Sequence, residues 1–179
     1  MPRYPFAFVQ ADALAYLVGH GHEYDAIHAS PPCHDWSKLA SLSGHDDTGW
    51  LLAATRAALI RTGLPWVIEN VPGAAMRPDI VLCGEMFGLG VRRHRWFETY
   101  PRLFGLMAPC AHSTPAVSVH GQPGGTSTRD GAMPVLADWK RAMGIDWMSA
   151  RTLAQAIPPA YTDHVGGLLL SVMSVAVSA

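Results

Sequence analysis

The most constraining feature of the sequence is a triplet of patterns between Asp25 and Glu69. Asp25-Ala26-Ile27-His28-Ala29 is a short apolar run that breaks at Pro31-Pro32, and Trp66-Val67-Ile68-Glu69 is a second; runs of this kind, bounded by turn residues, read as strands. Between them Leu51, Thr55, Ala58 and Leu59 fall on one helical face, with Asp47 or Thr48 placed to cap the helix and Gly63-Leu64-Pro65 to stop it. Strand, helix and strand within about forty residues make a right-handed parallel crossover the simplest topology, and ligands of such sheets bind beyond the carboxyl ends of the strands. Cys33 and Glu69 both fall at those ends.

Elsewhere Phe6 to Val9 and Arg95 to Thr99 read as further strands, the latter after a β-rich, turn-punctuated passage. From Pro101 to Pro134 the pattern dissolves into Gly, Pro, Ser and Thr, which predicts a loop-rich insert. Ala137 to Met143 reads as a short helix, and Tyr161 onward as a longer one with Val165, Leu168, Leu169, Val172, Met173 and Ala176 at helical spacing. With 49% hydrophobic and only 15% charged residues, the 179-residue chain suits one α/β domain spanning residues 1–179, a buried sheet wrapped by helices. The apolar run from Gly166 to Ala179 is shorter than the about 20 residues a bilayer span needs, so it predicts a buried helix and no membrane partner. Thirteen Lys+Arg against 14 Asp+Glu leave no global positive field, so any nucleic-acid contact must be local. Three cysteines are too few for a disulfide framework, and the N-terminus lacks a secretory pattern, so a reducing cytoplasm is expected.

Three segments carry chemistry. Cys33 is either a small buried hydrophobe, the commonest fate of a free cysteine, or a nucleophile on the loop that Pro31-Pro32 stiffens and His34-Asp35-Trp36-Ser37 continues. Glu69-Asn70 is either a turn or an acid held within reach of the substrate of that thiol. In VRRHRWFE, Arg93 and Arg95 share a face if the segment is a strand; the alternative is a solvated basic edge.

Together these segments resemble the DNA (cytosine-5) methyltransferases. Ser30 to Cys33 (SPPC) looks like the catalytic Pro-Cys motif of that family, Glu69 to Val71 like its Glu-Asn-Val motif, and Arg92 to Arg95 like its Arg-x-Arg motif. AMGIDW at Ala142 to Trp147 and AQAIPPAYTDHVG at Ala154 to Gly166 are similar to its last two segments. The resemblance spans nearly the whole chain in one order. It implies a Rossmann-like fold and methyl transfer from S-adenosylmethionine to carbon 5 of cytosine in DNA. Cys33 would add to ring carbon 6, because carbon 5 is a poor nucleophile until a thiolate has added there. Glu69 would hold the ring N3 and exocyclic amine and Arg95 the O2, while Asn70 fixes the loop and Arg93 orients Glu69 or the catalytic loop. The base would leave the duplex to reach them. By the same resemblance Asp12, in FVQADALAYL, would contact the adenine, with Pro32 and Gln155 also on the cofactor, and His34, Ser37 and Lys38 would face DNA.

The departures set further expectations. His34 stands where the family usually has Gln, and Ala154-Gln155 where its last motif has Gly-Asn. The glycine-rich opening that grips S-adenosylmethionine has no counterpart, so the chain reads as N-terminally truncated relative to the family. A half-enzyme completed by a separate chain, a non-catalytic DNA-binding relic and an unrelated α/β domain are the alternatives. The absent loop predicts weak cofactor binding and a half-open apolar cleft beside Asp12. The 101–134 insert, in place of a full target-recognition domain, resembles the compact enzymes encoded by bacteriophages. Cys83, Cys110, His112 and His120 lack the paired short spacings of most zinc sites, so scattered polar loop residues and no metal are expected.

Overall fold

The computed structural model describes residues 6–32, 49–113, 115–121 and 134–177, and the side chains of these up to 174. The chain is mixed α/β, with a four-stranded sheet of mixed direction. It divides into two compact units, Phe6–Val81 with Arg95–Phe104, and Leu82–His94 with Gly105–Ala179.

The first unit contains helix α1 (Ala13–His20), strand β1 (Ile27–Ala29), helix α2 (Gly49–Thr62) and strand β2 (Trp66–Asn70). It also holds β4 (Arg95–Tyr100) and all of β3 (Ile80–Leu82) except its last residue. The sheet order is β1-β2-β4-β3. β1 runs parallel to β2, with Ile27 opposite Trp66, as the crossover reading requires, and β4 runs antiparallel to β2, with Phe97 opposite Glu69.

Helix α2 buries Leu52, Thr55, Ala58 and Leu59, the expected stripe with Leu52 in place of the half-buried Leu51. It ends where Gly63 turns to φ 70°, a conformation with little cost for glycine. Leu52 and Leu59 pack with Trp66, Ile68 and Ala74 into one apolar cluster. Helix α1, capped by Asp12, was not anticipated from residue pattern. Phe6 to Val9, expected as a strand, is irregular, and Phe6, Phe8 and Val9 are 70%, 52% and 60% exposed. A β-prone run makes a strand only where neighbouring backbone pairs with it.

Two buried carboxylates brace the strands. Glu98 accepts from Arg56 through Nε and Nη2, the latter at 2.8 Å. Asp79 accepts from Arg77, from the Thr99 amide at 3.0 Å and from Arg102 at 2.8 Å. Burial alone would raise the Asp79 carboxyl, but the Arg77 fork, the Thr99 amide and the charges of Arg77 and Arg102 outweigh it and hold it below its ordinary value.

The second unit contains a 3-10 turn (Gly84–Phe87) and helices α3 (Leu136–Met143), α4 (Ala150–Leu153) and α5 (Pro159–Val177). Val91, Val119, Trp139, Ala142, Met143, Ile145 and Leu153 form its core, with Leu136 packed against them. The described residues of the expected insert carry no regular secondary structure. Helix α5 buries Tyr161, Val165 and Leu169, whereas Leu170 and Val172 are exposed, so the expected buried helix is buried along one stripe only. No helix among the described residues is long and apolar enough to cross a membrane.

Candidate functional site

The carboxyl end of β2 places two polar residues side by side. Period-two alternation sends Glu69 and Asn70 to opposite faces of the sheet. Glu69 shares its face with its cross-strand partner Phe97, and Arg95, two residues from Phe97, lies diagonally across on that face. The side chains meet: Arg95 Nε donates to Glu69 Oε1 at 2.8 Å, with only 15% and 8% of the side chains exposed. A charge-assisted contact so sheltered from water holds both groups in fixed places.

On the other face Asn70, 2% exposed, donates from Nδ2 to the Pro31 carbonyl oxygen at 3.2 Å, and its Oδ1 accepts from the Val71 amide at 2.8 Å. One buried amide thus ties the residues after β1 to the end of β2. The contact is made at Pro31, two residues before Cys33. Cys33, His34, Ser37 and Lys38 lie outside the described residues.

A cleft of about 760 Å³ lies beside β1 in the same unit. Its walls include Val9, Leu17, Ile27 and Trp50, with Asp12, Ser30, Pro31 and Pro32 adding polar atoms and bends. Its volume falls in the range of small-molecule sites, and among the described residues Asp12 is the acid in its largely apolar lining. The expected half-open, apolar cleft beside Asp12 is therefore present. Asp12 also accepts from the Ala15 amide at 2.8 Å, capping α1.

Arg93 departs from the strand geometry expected of it. β4 begins at Arg95, and Arg93, with φ 35°, precedes it, so alternation does not bring the two arginines to one face. Its guanidinium donates to the carbonyls of Val119 at 3.0 Å and Ala154 at 2.6 Å, and its own carbonyl accepts from the Tyr161 hydroxyl at 3.0 Å. Gln155 lies in the second unit, exposed, just after α4.

The second unit holds a further cluster. Cys83, His94, Cys110 and His112 bring one ligand atom each within 4.8 Å of all the others. Three of the residues weighed from sequence as a metal set are therefore gathered, but His94 stands in the cluster and His120 does not. Nothing in the sequence marks His94 as a ligand, because its arginine neighbours read as a basic edge. Burial pushes the Cys83 thiol above its ordinary value.

Comparison of the chain with models of known protein families and with curated proteins found no match.

Proposed function

We propose that this protein acts as a DNA cytosine-5 methyltransferase with a Rossmann-like catalytic scaffold, working in the cytoplasm. The observation that carries the reading is the Glu69–Arg95 pair, an acid and a cation fixed 2.8 Å apart at the carboxyl end of β2, while Asn70 of the same strand end ties down the residues leading to Cys33. A cytosine offers complementary groups to such a pair, since its exocyclic amine donates to the carboxylate, its N3 does so once it takes a proton as the adduct forms, and its O2 accepts from the guanidinium. Bound S-adenosylmethionine supplies an electrophilic methyl group. The Cys33 thiolate adds to ring carbon 6, the electron pair displaced to carbon 5 takes the methyl, and loss of the carbon 5 proton then expels the thiolate.

A specific observation also favours a second reading, in which a separate polypeptide completes the cofactor site: apolar residues beside the cleft, Val9 and Trp50, are 60% and 59% exposed. DNA carrying 5-fluorocytosine tests the chemistry common to both. With fluorine in place of the departing proton the adduct cannot resolve, so protein and DNA should stay covalently joined in the presence of S-adenosylmethionine. Cys33→Ser should abolish the joined species, while Cys83→Ser and Cys110→Ser should retain it wherever they fold. Joining that survives Cys33→Ser removes Cys33 from its role. Its absence from wild type with the cofactor present, but appearance on adding a polypeptide that carries a glycine-rich strand and turn, would favour the second reading.

A further inference from the structure

We infer that Cys83, His94, Cys110 and His112 bind one structural Zn²⁺ ion, a Cys₂His₂ site that fastens the 105–113 loop to the rest of its unit. The inference is independent of the reading of Glu69 and Arg95. Its main support is geometric. Cys83 Sγ lies 3.7 Å from His112 Nε2, His94 Nε2 lies 3.4 Å from Cys110 Sγ, and the two Nε2 atoms are 3.2 Å apart. For a tetrahedron with zinc–sulfur bonds of about 2.3 Å and zinc–nitrogen bonds of about 2.0–2.1 Å, the sulfur–nitrogen edge is about 3.6 Å and the nitrogen–nitrogen edge about 3.3 Å. All three contacts lie within a few tenths of an ångström of those edges.

Hydrogen bonding explains the convergence less well. A ring nitrogen has a single in-plane site, either an N–H or a lone pair. Here each Nε2 faces two partners at once, the other histidine and a cysteine sulfur. A cation at the centre uses one lone pair from each of the four atoms and leaves none competing. Two thiolates neutralise Zn²⁺, and imidazole with thiolate is the donor set zinc accepts most readily. With four protein ligands the site is closed, as structural zinc sites are.

The surrounding backbone is arranged to present these ligands. Gly84, immediately after Cys83, opens a tight turn in which its amide donates to the Arg92 carbonyl at 2.8 Å. A Cβ at Gly84 would overlap the Val91 carbonyl oxygen, so only glycine lets the chain double back and bring His94 to Cys83. His112 is held at φ 54°; its amide donates to the Glu85 carboxylate and its carbonyl accepts from Arg92 Nη2 at 3.0 Å. Outer contacts of this kind fix ligand orientation. The loop has need of a clasp, since Leu106 is fully exposed and the described residues 105–113 form no helix or strand.

The untagged full chain, purified under reducing conditions, should carry close to one zinc per chain by elemental analysis. Replacing zinc with Co²⁺ should give thiolate-to-metal charge transfer and the intense visible bands of a tetrahedral site, a readout that needs no variant to fold. Cys110→Ser and His94→Ala should each lower metal occupancy at least about tenfold, whereas Cys33→Ser and His120→Ala should keep it. A chain that binds neither metal, a wild-type mass showing a Cys83–Cys110 disulfide, or zinc retained by both Cys110→Ser and His94→Ala would overturn the assignment.

Discussion

Glu69 and Arg95 lie one diagonal apart on the sheet, each largely sheltered from water, so removing either charge takes a close partner from the other. Glu69→Ala should therefore cost about 3 kcal/mol, the lower end for a broken buried pair, read as a fall in urea midpoint at constant slope. Glu69→Gln keeps an acceptor for Arg95 and should cost less, yet under the proposed function it should still lose covalent capture of fluorinated DNA, because the negative charge proposed to face the ring is gone. A Gln variant that captures DNA as wild type does would make the pair purely structural. The same residues show how much of the site was legible. A carboxylate at the end of an apolar run announces itself, because a buried strand seldom tolerates one without a partner. His94 does not, since its place beside Cys83 depends on the ten-residue segment 84–93 doubling back, and nothing local in Arg92-Arg93-His94-Arg95 marks it.

Among the elements, β2 and α2 were readable because each buries a face whose period is set by its own geometry, whereas Phe6 to Val9 misled because residue type cannot report whether a pairing partner exists. β3 is only three residues long, and Asp79, just before it, accepts from the Thr99 amide of the neighbouring β4. The Asp79 carboxyl is held below its unfolded value, so its contribution is fully present above about pH 4 and is lost as pH falls through the lower folded value. Asp79→Asn should flatten the acid side of the stability profile. Urea midpoints of the two proteins should differ most near neutrality and converge below the folded-state value; parallel curves down to the lowest pH would show that Asp79 contributes no proton-linked stability.

At the scale of the whole molecule, each unit has its own apolar cluster, one around Leu59 and Ile68 and the other around Trp139 and Met143. Among the described residues, Asp12 is the one acid lining the cleft, and its carboxylate already serves α1. Calorimetric titration with S-adenosylmethionine should accordingly give binding weaker than low micromolar, on the order of a dissociation constant above 10⁻⁵ M. Low-micromolar binding would mean the cleft is complete as it stands and would favour the full enzyme over the two-chain reading. Val119 and Leu136 enter the same cluster from either side of the intervening chain, and Arg93 grips the Val119 carbonyl as well. Both shores of that stretch are moored, whatever bridges them, and doubling the length of a flexible bridge adds only about 0.6 kcal/mol of closure cost. A laboratory library could therefore exchange residues 122–133 for other lengths and compositions while the anchored cluster on either side keeps its packing.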